Sequence, residues 1–90
     1  MHTVYILVST IKSSWSYVGS TGDFERRHND HKYGKVKSTK GFRPLEVIYT
    51  EEQKNRETAY QRELYLKSGI GREERYRIIK QWKEKNSGIV

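Results

Sequence analysis

Two tyrosines in the first part of the chain have side chains that can take part in proton transfer. Tyr5 and Tyr17 lie near equivalent ends of two short β-prone runs, so their phenols could converge. A phenol has a pKa of about 10 in water and acts as a general base only where positive charge lowers that value. The alternative, which spacing alone favours, is that both are core aromatics with a solvated hydroxyl.

Arg27 and His31 are a second candidate pair. They are four residues apart, so a helix places both on one face. Arginine offers a planar two-pronged donor for phosphate, and histidine exchanges a proton near neutral pH. A metal site at His28 and His31 is disfavoured, because the chain has no Cys and only three His to complete it. A solvated basic helix face is the alternative.

Glu63 interrupts an apolar helix face. Three apolar residues complete that face at helical steps, Ala59, Leu66 and Ile70. A carboxylate that faces a core costs free energy unless it is paired or binds a metal. The alternative, which periodicity favours, is an edge position where Glu63 pairs with Arg62, Lys67 or a distant arginine.

The segment 24–43 is strongly basic. It carries seven Lys and Arg residues against Glu25 and Asp30, a local net charge of +5. Interleaved Tyr33 and Phe42 offer surfaces on which bases can stack. Such a segment suits a groove that follows phosphates, although a solvated surface is the alternative. The candidate nucleic-acid contacts are Arg26, Lys32, Lys35, Lys37, Lys40 and Arg43.

Composition excludes several classes of protein. The 90 residues carry 18 Lys and Arg against 11 Asp and Glu, for a net charge of +7. We expect a single domain, residues 1–90, whose partner is a polyanion such as nucleic acid or an anionic membrane surface. No apolar run is long enough for a membrane span or a signal peptide. Because Cys is absent, disulfides and thiolate metal sites are excluded, and a cytoplasmic location is expected.

The residue pattern predicts three strands, at 3–9, 15–19 and 45–50, the first two as a hairpin. In the third strand, Leu45, Val47 and Tyr49 alternate with more polar positions. Residues 19–23 are interpreted as a break and residues 34–44 as a loop.

Three helices are predicted between and after these strands. The first runs from Phe24 to about Tyr33, capped by Asp23 and ended by Gly34. The second runs from a cap at Asn55 to about Ser68, closed by Gly69, and the third covers about 71–85. The third helix places three apolar residues on one stripe, Tyr76, Ile79 and Trp82. The order β-β-α-β-α-α indicates a small α+β layer structure.

These sets of residues, in this order, resemble the GIY-YIG nuclease family. Thr3-Val4-Tyr5 and Tyr17-Val18-Gly19 resemble its two strand signatures. Residues 23–31 are similar to its Asp-x-x-x-Arg-x-x-x-His helix, and residues 59–67 to its Ala-x-x-x-Glu-x-x-Leu-Lys segment. The resemblance spans residues 3 to about 82. It is closest to the small stand-alone bacterial members, related to the N-terminal domain of excinuclease C.

The resemblance implies a three-stranded antiparallel sheet flanked by helices, and metal-dependent cleavage of DNA in repair or recombination. It implies that Glu63 holds one Mg²⁺ or Mn²⁺ and that Arg27 clamps the scissile phosphate. Tyr5 or Tyr17 would orient or deprotonate the attacking water, with His31 assisting. Gly19 would let the backbone turn close to the site.

The chain also departs from the family pattern. Thr3 and Val4 replace Gly and Ile, and only Asn86 follows Glu63 where many members carry a late catalytic Asn. No second domain is expected to supply sequence specificity. The alternative function is therefore a non-catalytic nucleic-acid-binding module on the same fold. In either case DNA is the expected partner, with no membrane and no small-molecule cofactor, and the protein is a monomer or a homodimer.

Overall fold

The computed structural model describes residues 1–86 and confirms the predicted α+β class and element order. The strands are β1 (His2–Ser9), β2 (Ser16–Thr21) and β3 (Leu45–Gln53). The helices are α1 (Phe24–Lys32), α2 (Arg56–Lys67) and α3 (Arg72–Asn86), with a 3₁₀ turn at Lys40–Phe42 inside the predicted loop.

The sheet has the order β2-β1-β3, and both pairings are antiparallel. Central strand β1 is buried from Thr3 to Ser9, as expected for an almost continuous apolar run covered on both faces. On one face Val4 and Ile6 form the core with residues of β2 and α2, namely Val18, Ala59 and Leu66. On the other face Tyr5 packs against Phe24 and His31 of α1.

Strand β3 contains a bulge that the alternation of Leu45, Val47 and Tyr49 does not predict. Ile6 pairs with Tyr49 and Leu7 with Val47, so Ile48 is the extra residue. Ile48 and Tyr49 therefore both pack against the core. The strand also extends beyond residue 50, because β1 supplies backbone partners as far as Gln53.

Strand β2 is shifted from the predicted residues. Trp15 lies before the strand, and Gly19, Ser20 and Thr21 belong to it rather than to a break. The cause is pairing over long range, since these three residues oppose Tyr5, Val4 and Thr3 of β1.

The predicted helix caps at Asp23 and Asn55 are confirmed. The Asp23 carboxylate accepts from the Arg26 N–H at 3.1 Å, and the Asn55 side chain accepts from the Thr58 N–H at 2.9 Å. Gly34 follows α1 with a φ of +77°, which glycine adopts without strain.

Two predictions about helix faces are wrong. Helix α2 ends at Lys67, and the Ser68 hydroxyl donates to the Tyr65 carbonyl, so Ile70 lies past the helix and is 81% exposed. On α3, Tyr76 is exposed, and Ile78 and Ile79 are the residues that pack against the core. The stripe turns by one position because α3 contacts both α2 and β3.

Arg62 holds α2 to its neighbours. Its guanidinium donates to Glu51 of β3 at 2.9 Å and to Glu74 of α3. These bonds raise the Arg62 pKa and lower that of Glu74. Within residues 1–86, no helix has the length and apolar character needed to cross a membrane.

Candidate active site

The two tyrosines and Gly19 lie on the same face of the sheet. Tyr5 is paired with Gly19 and Tyr17 with Leu7, and the two phenol rings are 6.3 Å apart between centroids. A methyl group on Gly19 would lie 2.5 Å from the Tyr5 hydroxyl oxygen and 3.0 Å from Cε1 of Tyr17. The absence of a side chain at Gly19 therefore makes room for both phenols.

Helix α1 adds His31 to this pair. The imidazole is buried, with ring centroids 5.6 Å from Tyr5 and 5.3 Å from Tyr17. Its Nε2 lies 2.8 Å from the Tyr5 hydroxyl, and its Nδ1 lies 2.9 Å from the hydroxyl of Thr39. The Thr39 hydroxyl donates to the Val36 carbonyl at 3.4 Å, so it accepts from Nδ1–H. We therefore assign the Nδ1–H tautomer, in which Nε2 accepts from Tyr5.

The proton positions follow from burial. Burial lowers the pKa of His31 to about 4, and the positive charge of Arg27 acts in the same direction. Burial also raises the pKa of Tyr5 to about 12, although its hydrogen bond with Arg27 opposes the rise. At neutral pH Tyr5 is thus a neutral donor and His31 a neutral acceptor, so Tyr5 is not a phenolate base in this state.

Arg27 projects from α1 toward both phenols. Burial lowers its pKa, but the interactions with Tyr5 and Tyr17 outweigh that effect and raise it. The guanidinium is therefore a permanent positive charge fixed beside two phenol oxygens.

Glu63 lies on α2 beside edge strand β2. Its Oε1 accepts from the Ser20 hydroxyl and its Oε2 from the Lys67 ammonium, each at 2.6 Å. The Lys67 Nζ is also 5.8 Å from the centroid of Tyr17, and the charge of Glu63 contributes to the raised pKa of Tyr5. Glu63 thus borders the cluster formed by Tyr5, Tyr17, Arg27 and His31, and it has the Lys67 partner weighed from the sequence.

The carboxylate of Glu63 fits a hard divalent cation. A carboxylate has about four lone-pair positions, and the two bonds described above use two of them. Mg²⁺ takes oxygen ligands, keeps several waters and is often held by one or two carboxylates with substrate phosphate. Residues 1–86 contain no group of three or more His, Cys, Asp or Glu that could hold a metal. His28 stacks on Phe24, while His31 bonds to Tyr5 and Thr39.

The basic segment leaves its cationic side chains at the surface. All six candidate contacts are exposed, namely Arg26, Lys32, Lys35, Lys37, Lys40 and Arg43. Tyr33 is 64% exposed and has the Lys32 ammonium over its ring. Phe42 is half-buried and stacks on Trp15 at 4.4 Å, so Tyr33 is the more accessible ring.

Sequence reasoning missed Ser20 and Thr39. The contact of Ser20 with Glu63 follows from register, since Ser20 opposes Val4 on the face of the sheet that α2 covers. Thr39 had no signal, because its bond to His31 depends on the path of an irregular segment. Asn86 donates to the Trp82 carbonyl of its own helix at 2.9 Å.

A family model described as the GIY-YIG catalytic domain matches residues 1–77, which include all the site residues above. The chain belongs to the GIY-YIG family. This is a family of nucleases, so the resemblance seen in the sequence is confirmed. The chain is also similar to a UPF0213 protein of Natronomonas pharaonis, with 34% identity over 79 residues, or 87% of this chain and 89% of the relative. No solved structure matches the chain.

Proposed function

We propose that the protein is a metal-dependent endonuclease that hydrolyses DNA phosphodiester bonds in repair or recombination. The observation that carries this proposal is the packing of Tyr5, Tyr17 and His31, with ring centroids 5.3 to 6.3 Å apart, around the Arg27 guanidinium. Membership of a nuclease family supports the same conclusion.

Arg27 is the residue that binds the scissile phosphate. Its donors match two phosphate oxygens, and its position is fixed by the phenols of Tyr5 and Tyr17. Negative charge on the phosphate grows as water attacks, so a fixed cation there stabilises the transition state more than the ground state.

Tyr5 and His31 move the proton of the attacking water. The Tyr5 oxygen takes a proton from the water while its own proton passes to Nε2 of His31, 2.8 Å away. The phenol stays neutral throughout, which suits its raised pKa of about 12. The resulting hydroxide bonds to phosphorus as the ester P–O bond breaks, and the imidazolium then releases its proton to solvent. Tyr17, the less buried phenol, orients the water.

Glu63 would hold Mg²⁺ or Mn²⁺, and the ion would stabilise charge on the phosphate and on the leaving oxygen. Ser20 and Lys67 orient the carboxylate through their hydrogen bonds. The exposed cations of the basic segment bind flanking phosphates without reading sequence.

Cleavage of plasmid and branched DNA with Mg²⁺ or Mn²⁺ tests this function. We expect the parent protein to cut, and Glu63→Gln to cut at least about 100-fold more slowly, since the ion loses its charged ligand. Glu73→Gln is the matched control, because Glu73 is exposed on α3, and it should cut like the parent. Equal cleavage by Glu63→Gln and the parent would show that the mechanism is wrong.

A second candidate is a nucleic-acid-binding module without catalytic activity. It is favoured by the pairing of Glu63 with Lys67 and by Asn86, whose amide bonds within its own helix. This candidate predicts salt-sensitive DNA binding with no cleavage under any metal.

A further inference from the structure

One face of α2 continues the site beyond Glu63. Arg56, Tyr60, Glu63 and Lys67 follow one another at steps of four, three and four residues, so they share one side of the helix. Glu63 and Lys67 belong to the candidate active site. Arg56 and Tyr60 have no role in it, and both are exposed.

A cavity of about 360 Å³ adjoins these two residues. It is bounded by the first turns of α2, the end of β2 and the start of β1. Its lining residues are His2, Ser20, Thr21, Gly22, Arg56 and Tyr60. Because Ser20 also donates to the Glu63 carboxylate at 2.6 Å, the cavity lies one hydrogen bond from the proposed metal ligand.

The lining of this cavity suits an anion. It contains a guanidinium, an imidazole, a phenol and two aliphatic hydroxyls, and no carboxylate. Glu57 lines a neighbouring cavity together with Arg56 and Tyr60, and it is the nearest acidic residue in sequence to Arg56. Among the common anions, phosphate matches a guanidinium joined by hydroxyl donors.

We propose that this cavity is a second phosphate subsite, which takes a backbone phosphate of the DNA strand beside the cleaved bond. The proposal rests on the proposed function, since Glu63 marks where the strand is cut. Seven residues of helix separate Arg56 from Glu63, a rise of about 10 Å. A DNA strand carries one phosphate per ~3.4 Å of its axis, so the subsite lies about three nucleotides from the cut. The exposed Tyr60 ring gives the adjacent base a surface to stack on.

The salt dependence of DNA binding tests the subsite without requiring cleavage. Affinity is measured by fluorescence anisotropy in EDTA, for the parent, Arg56→Gln and Arg72→Gln, over a range of NaCl concentrations. Arg56→Gln should weaken binding about two- to fivefold and reduce the slope of log K against log[salt] by about 1. Arg72 is exposed on α3 away from the cavity, so the control keeps the parent slope at the same net charge. Equal slopes for the two variants would overturn the proposal.

Two further measurements place the contact. A single methylphosphonate about three nucleotides from the mapped cut should weaken the parent and leave Arg56→Gln unaffected, while equal losses in both proteins would count against the subsite. Titration of the protein with inorganic phosphate alone should give no binding at 1 mM, on the order of physiological free phosphate. Tight binding there would identify a site for a free anion instead of a DNA contact.

The two proposals fail separately in these experiments. Arg56-dependent binding without cleavage under any metal would remove the nuclease function and leave the subsite. Cleavage that depends on Glu63, with a salt slope that ignores Arg56, would do the reverse.

Discussion

His31 is the residue that fixes the proton positions in the cluster. It is a buried imidazole between two hydroxyl groups, and each of its nitrogens has one partner. The Tyr5 hydroxyl can be a donor to Nε2 only while Nδ1 keeps its hydrogen, and Thr39 holds that hydrogen. Thr39 is thus a positioning residue for Tyr5, although it lies in the basic segment and does not touch the phenol.

Thr39→Val tests this role. Valine is similar in shape but accepts no hydrogen bond, so Nδ1–H is left unpaired in a buried site and the other tautomer competes. We expect a mixture of His31 tautomers in ¹⁵N-resolved NMR spectra, where the parent shows Nδ1–H alone. Cleavage should fall about 5- to 150-fold, the effect of 1–3 kcal/mol. Thr39→Ser keeps the acceptor and should restore both properties. An unchanged tautomer in Thr39→Val would refute the assignment.

At the scale of elements, the junction between α2 and α3 depends on Gly71. A Cβ built at Gly71 would lie 1.9 Å from the Tyr65 carbonyl oxygen, a backbone atom that cannot swing away. The Arg75 N–H also bonds to the Gly71 carbonyl at 3.1 Å, so Gly71 begins α3 while touching the end of α2. The close approach of these two helices therefore requires glycine at this position.

Gly71→Ala should destabilise the protein by about 1–3 kcal/mol, the usual cost of overpacking, because α3 must move away from α2. Gly69→Ala is the matched control, since a Cβ there meets no atom within 4 Å. Urea unfolding followed by circular dichroism measures the difference. The same midpoint for both variants would mean that the junction relaxes without cost.

Local signals in the sequence predicted most of the elements. Asp23 and Asn55 cap helices because a short side chain reaches an N–H group three residues on. The bulge at Ile48 and the strand residues Ser20 and Thr21 could not be predicted in this way. Their conformations are set by pairing with β1, between residues far apart in sequence.

The same distinction holds for the candidate site. Tyr5, Tyr17, Arg27 and His31 were selected from residue types and motif spacing, and the structure brings them together. The raised pKa of Tyr5 could not be predicted, because it comes from burial under α1. The contact of Thr39 with His31 depends on the folded path of the segment 33–44.

At the scale of the whole molecule, the acidic residues hold elements together and the basic residues remain outside. Glu51 and Glu74 pair with Arg62 and join β3, α2 and α3, while Glu63 pairs with Lys67. The net charge of +7 is therefore displayed to solvent, much of it on the basic segment. Such a surface attracts a polyanion over a range limited by the Debye length of about 8 Å at physiological salt.

The burial of His31 also links global stability to pH. Its pKa is about 4 in the folded protein and about 6.5 in an unfolded chain. Between these values the unfolded chain binds more protons, so folding is fully favoured above pH 6.5 and loses stability as pH falls toward 4. From pH 7.5 to 5 the loss from His31 should be about 2 kcal/mol. Urea unfolding at several pH values measures it, and His31→Gln is the control because glutamine does not titrate. The parent should lose about 2 kcal/mol more than His31→Gln over this range, and parallel curves would show that His31 protonates as easily in the folded protein as in water.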